Sequence, residues 1–238
     1  MKNVFYWSLV AALAGLLFGF DTVVISGADK KLQTLWESSD SFHGIVVMGM
    51  ALWGTVMGAL LGAFPTRRFG RKTTLFWIGV LYTVSAIGSA FATDPIVFAI
   101  FRFVGGLGVG ISTIAAPAYI SEIAPPKDRG RLVGLYQFNL VFGILLAFLS
   151  NYMLSDIGEN AWRWMMGVEA FPAIIFTFLC LTIPKSPRWL ITRGAIEEAK
   201  AIYAQVDPEG SFDQLVQEIN NSTSSENKTE SIFKLPKA

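Results

Sequence analysis

Three ionisable residues stand inside otherwise apolar runs: Asp21 in "GLLFGFDTVVISGA", Arg102 in "FAIFRFVGGLGVG" and Glu169 in "WRWMMGVEAFPA". An isolated charge at membrane depth costs about 2.5–3.5 kcal/mol on insertion scales, so each needs a partner or solvation. Two acids and one base can form a mutual cluster, Asp21–Arg102–Glu169. With one cation for two acids, one carboxyl lacks a full partner. Asp21 would then accept a proton from one side of a membrane and release it to the other, with Arg102 tuning the exchange. The competing reading is a structural ion pair that holds helices together.

The elements that must position these groups are long apolar helices. The chain has 238 residues, of which 53% are hydrophobic and 16% charged, with a formal net charge of +1. The charges are clustered between apolar runs rather than spread, which is the pattern of an integral membrane protein. Six spans are predicted: Val4–Gly27, Gly44–Phe64, Thr73–Ala92, Pro95–Ile123, Leu132–Tyr152 and Arg163–Ile183. Each reaches the roughly 20 residues needed to cross the hydrocarbon as a helix. Although Lys2 precedes the first apolar run, that run is too long for a signal peptide core and five others follow. The one cysteine, Cys180, and the one histidine, His43, exclude a disulfide framework and a Cys-based metal site. His43, at a segment boundary, reads as an ordinary interfacial residue.

Loop charges set the orientation. Arg67, Arg68, Arg71 and Lys72 follow the second span, Lys127, Arg129 and Arg131 the fourth, and Lys185, Arg188 and Arg193 the sixth. The alternate loops are poor in Lys and Arg, so the basic loops and both termini are expected on the cytoplasmic side. Asp21 then lies six residues before the outer end of the first span. Arg102 is seven residues inside the fourth span and Glu169 six inside the sixth. At 1.5 Å per residue all three lie roughly 9–11 Å below the outer boundary.

The chain divides at Gly194, into a membrane bundle over 1–193 and a cytoplasmic linker and tail over 194–238. Ile196, Ala199, Ile202 or Tyr203, and Val206 have the spacing of a surface helix, and a second short helix is predicted over Phe212–Ile219. The following "NNSTSSENKTES" is polar. Its glycosylation-type triplets at Asn220, Asn221 and Asn227 fall on the cytoplasmic side in this topology, which argues against their use. Small-residue ridges at Gly15 and Gly19, Gly54, Gly58 and Gly62, and Gly106 and Gly110 favour close helix contact. The "GGLGVG" run has no preceding strand, so helix packing is a better account of it than a dinucleotide loop.

In order along Leu13–Arg193, these segments resemble the sugar porter family of the major facilitator superfamily. "GLLFGFDTVVISGA" is similar to the family's first helix, and "RRFGRK" to its loop motif G-x-x-x-D-R-x-G-R-R/K. "RFVGGLGVG", "PAYISEIAPPKDRGRL", "YQFN" and "WRWMMGVEAFPA" match further segments, and "PKSPRWL" is similar to P-E-S-P-R. The resemblance implies an all-α membrane fold in which six helices form two inverted three-helix repeats, the N-terminal bundle of the major facilitator fold. It also implies rocking of two such bundles about a central site. The chain ends at "SIFKLPKA", about where a seventh helix would start, so the expected partner is a C-terminal six-helix bundle or a second copy of the chain.

By the same resemblance, Asp21, Arg102 and Glu169 match the proton-coupling group of the symporters. Gln137 matches a sugar-binding glutamine, Phe18 a cavity-lining aromatic, and Ile144 a place where some symporters have a second glutamine. Arg68, Arg71, Glu122, Arg129 and Arg188 match a cytoplasmic gate network. Arg67 and Lys185 depart from it, each a base where the family has an acid. Like charges there are expected to weaken cytoplasmic closure, or else to bind anionic lipid head groups. The expected function is secondary active transport of a monosaccharide or polyol, coupled to H+, in the cell membrane. The alternatives are a passive uniporter and a transport-incompetent fragment or scaffold. No cofactor, metal or nucleic-acid partner is expected. No nucleophile–base pair, metal cluster or phosphate loop points to an enzyme.

Overall fold

The computed structural model describes residues 2–208 and 210–221. The polar run beyond, including Asn227, lies outside the described residues. Six helical segments are long and apolar enough to cross a membrane: Asn3–Gly27, Asp40–Leu61, Arg71–Phe91, Pro95–Ile123, Arg129–Leu154 and Ala161–Thr182. They are called the first to sixth spans below. There is no strand among the described residues.

The fifth span extends at both ends beyond the predicted Leu132–Tyr152, and two others are irregular within, each for a local reason. The second starts a turn earlier, at Ser39, whose hydroxyl accepts a hydrogen bond from the Phe42 amide. It then passes through a π-helical turn, His43–Met48. The sixth starts at Ala161 and breaks into Ala161–Gly167 and Ala170–Thr182. Pro172 accounts for the break, because its ring opposes the carbonyl four residues back, that of Val168, and it has no N–H to donate there. Instead the Phe171 amide reaches the Val168 carbonyl at 3.2 Å. The fourth span, by contrast, starts cleanly: Asp94 accepts from the amides of Ile96 and Val97, both at 3.0 Å, and Pro95 needs no acceptor.

Packing repeats between the two halves of the bundle. The first span lies along the fifth, and the fourth along the second. A Cβ on Gly15 would stand 2.4 Å from the Tyr136 carbonyl oxygen, and one on Gly106 2.1 Å from that of Ala51. Backbones this close are held by van der Waals contact, since lipid supplies no hydrophobic drive between helices. The third and sixth spans pack on each other and carry exposed apolar residues such as Trp77, Phe91, Phe171 and Phe178. This exchange of partners (one with five, four with two) is the signature of the two inverted three-helix repeats.

The segment after the sixth span is not detached from the bundle. Helices Pro187–Thr192 and Ile196–Val206, and a further helix over 212–221, bury Leu190, Ala199, Ile202, Val206 and Ile219 in the same core as Val4 and Trp7 of the first span. The buried stripe Ala199–Ile202–Val206 follows the helical period of the sequence, while Ile196 stays exposed. His43 is no ordinary interfacial residue. It is buried, with Nε2 2.7 Å from Asp29 and Nδ1 3.2 Å from Ser38, and so ties the helix Asp29–Leu35 to the second span.

Candidate functional site

The helix of the first span runs to Val24 and tightens into a 3-10 turn, Ile25–Gly27. Asp21 therefore occupies its last turn, where backbone carbonyls carry partial negative charge and favour a cation. Arg102 supplies it. Its Nη1 lies 2.5 Å from Asp21 Oδ1, and its Nη2 donates to the Asp21 carbonyl at 2.8 Å. Asn151, on the fifth span, donates to the Val24 carbonyl at 3.0 Å and closes the same helix end. Glu169 arrives from the broken turn of the sixth span, near enough to Asp21 and Arg102 to interact with both electrostatically. All three are about 1% exposed.

The arrangement sets one cation against two carboxyls, of which Asp21 holds the guanidinium. Glu169 Oε1 has no hydrogen-bond partner among the described residues. A cavity of about 350 Å³ between the first, second and fourth spans reaches Asp21 and Arg102 past Thr22, Met48 and Thr55. The site can thus hold a proton close to a space that water can enter.

Sequence reasoning missed the third-span contribution. Tyr82, Ser85 and Ser89 are all buried, and the hydroxyls of Ser85 and Ser89 have no partner among the described residues. A Cβ on Gly105 would stand 2.4 Å from Ser85 Oγ and 3.4 Å from Asp21 Oδ1, which puts Ser85 beside the triad. The spacing i, i+3, i+7 of hydroxyls inside an apolar span was the available signal.

The three substrate candidates have different settings. Gln137 is exposed on the fifth span, beside exposed Phe138 and Val141, while Tyr136 and Asn139 of the same turn point inward. Phe18 is half-buried against the core, and Ile144 is half-buried where the fifth span passes Gly19. The structure therefore does not gather these three into one pocket with the triad.

On the basic-loop side, Arg71 Nη2 pairs with Glu122 at 2.8 Å, and Ser186 donates to the same carboxylate at 2.5 Å. Ser186 also caps the helix Pro187–Thr192. Trp189 lies against Gly70, whose φ of +87° and neighbouring ring leave no room for a side chain, and its Nε1 donates to the Arg67 carbonyl at 3.0 Å. The other gate candidates stand outside this centre. Arg188 pairs with Glu218 at 3.6 Å, Arg68 contributes its carbonyl to Arg193 at 2.6 Å, and Arg129 is exposed. Lys185 pairs with Glu198 of the following helix at 3.4 Å, so an acid from outside the motif answers this base. Ser186, Trp189, Arg193 and Glu198 were not foreseen.

The family model described as "Sugar (and other) transporter" matches residues 7–237. The chain belongs to that family. In this sugar transporter family the chain is 37% identical over 258 residues to the D-xylose-proton symporter of Escherichia coli strain K12, covering 95% of the chain and 52% of the relative. It is 39% identical to a glucose transport protein of a Synechocystis strain (96% and 51%) and 36% identical to the arabinose-proton symporter of Bacillus subtilis (93% and 49%). The fold superposes on the major facilitator proton:xylose symporter XylE with a TM-score of 0.87 at 36% identity, covering 96% of this chain and 55% of that one. An inward-open XylE gives 0.83 at 36% identity, covering 93% and 56%. The chain spans about half the length of the curated relatives it matches.

Proposed function

We propose that this bundle is the proton-handling half of a secondary active transporter that moves a sugar or polyol together with H+ by alternating access. The observation that carries the reading is the buried Asp21–Arg102–Glu169 group, whose single cation leaves place for one exchangeable proton. The relatives support it, since proton symporters of xylose and arabinose are among them. The basic loops and both termini face the cytoplasm on this reading. The exposed apolar faces of the second and fifth spans, with Leu52, Val56, Leu60, Phe138, Val141 and Leu145, are where a second six-helix bundle packs. Gln137 on that face then meets substrate between the bundles, and residues 1–193 act as the moving body with 194–238 as its linker.

The test is uptake into proteoliposomes that contain the chain together with a C-terminal bundle of a relative, with xylose, arabinose, glucose and inositol as the panel. A pH gradient should drive accumulation, and Asp21→Asn should abolish accumulation while leaving sugar exchange. Accumulation that survives in Asp21→Asn would sink the proton assignment. Uptake unaffected by a protonophore would favour a uniporter.

A further inference from the structure

A groove of about 500 Å³ lies between the third and sixth spans, at the ends opposite the basic loops. Its walls are Ile87 and Phe91 on one side, Trp164 and Val168 on the other, and Leu154 at the top. Phe91 and Trp164 are 77% and 62% exposed, so the groove opens outward from the bundle. Its polar rim consists of Arg163 and Asn160. Arg163 Nη1 donates to the carbonyls of Ala90 at 2.7 Å and Ala92 at 2.9 Å, and the guanidinium lies 4.3 Å from the centre of the Trp162 ring. Among the described residues no other guanidinium nitrogen of Arg163 makes a hydrogen bond, so a fixed cation keeps donors for an outside acceptor. From Arg163 to Val168 the groove runs roughly 7–8 Å deeper along the helix. It is polar at the membrane boundary and apolar below, with Trp164 at the depth where aromatic belts sit.

An occupant must match that order: an anionic head at the boundary and a hydrocarbon chain beneath. We propose that the groove is a phospholipid site, with the lipid phosphodiester on Arg163 and one acyl chain along Ile87, Phe91, Trp164 and Val168. Guanidinium and phosphate oxygens form charge-assisted hydrogen bonds, which an anchored Arg makes at little entropic cost. Val168 also stands in the broken turn next to Glu169, so the bound chain touches the backbone that positions the buried acid. The inference does not rest on the transport reading.

Photolabelling of the full chain tests it. The chain is placed in phosphatidylcholine nanodiscs that contain a trace of phosphatidylcholine with a diazirine in one acyl chain. A parallel sample contains diacylglycerol with the same chain and diazirine. Labels on 87–91 and 161–168 should be about fivefold richer with the phospholipid than with diacylglycerol, the effect of roughly one net hydrogen bond. Both probes should label the exposed fifth-span residues Phe148 and Met153 equally. Arg163→Gln should bring the ratio of the two labels in the groove to about one by raising the diacylglycerol label, and Ile87→Trp, which fills the groove, should lower both. Equal labelling by the two probes, or labels spread evenly over the lipid-facing helices, would overturn the proposal. So would displacement by millimolar inorganic phosphate, because the chain would then be unnecessary. Should Arg163→Gln fail to fold, the comparison of the two probes on the unaltered chain still decides.

Discussion

The chain carries two ionic centres built on opposite physical terms. The membrane-buried one joins Asp21 and Arg102, with side chains 1% and 2% exposed, and Glu169 beside them. The one on the basic-loop side, Arg71–Glu122, is mostly enclosed at 19% and 11%, and outside it lie the exposed pairs Lys185–Glu198 at 46% and 49% and Arg188–Glu218 at 43% and 69%. In the membrane-buried centre each charge is retained only because another is present, and losing one leaves a buried charge uncompensated. In the exposed pairs water replaces a lost partner.

Substitutions should scale with that difference. Arg102→Met leaves two buried acids without a cation and should cost about 3–5 kcal/mol. Thermal unfolding of the purified chain should show a large loss, and a midpoint near that of the parent chain would break the contrast. Glu122→Gln removes the charge from Arg71 while keeping shape and should cost about 1–2 kcal/mol. A double-mutant cycle with Arg71→Gln should return a coupling energy, and none would place Arg71–Glu122 among the exposed pairs. Glu198→Gln should change stability by only about 0–1 kcal/mol, with the difference vanishing in high salt. A large, salt-insensitive loss would mean that Lys185 relies on Glu198 as Arg102 relies on Asp21.

The membrane-buried centre was the more legible of the two. Hydrocarbon is intolerant of charge, so Asp21, Arg102 and Glu169 were conspicuous, and the fixed rise of a helix placed them at one level. The hydroxyls of Ser85 and Ser89 were overlooked because serine is unremarkable in a membrane helix until its surroundings are known. The centre on the basic-loop side was half legible. Arg71 and Glu122 meet as the motif resemblance implies, but Ser186, Trp189 and Glu198 join through the approach of segments that carry no shared periodicity. Lys185 shows why: its expected effect rested on like charges nearby, whereas the partner it finds lies on the next helix. The break at Val168–Glu169 could have been anticipated from Pro172, whose effect falls four residues upstream.

Six spans, their alternating loop charge and the shared level of three buried ionisable groups were already legible in the order of residues. These follow from hydrophobic length, helix rise and the cost of charge in lipid, which act along the chain. That Arg102 clasps both the side chain and the carbonyl of Asp21, that Gln137 faces outward, and that Arg163 heads an apolar groove emerge once the helices pack. Those depend on how each helix is rotated and on what approaches it, and both are set by backbone contact at Gly15, Gly54 and Gly106 between helices distant in the chain.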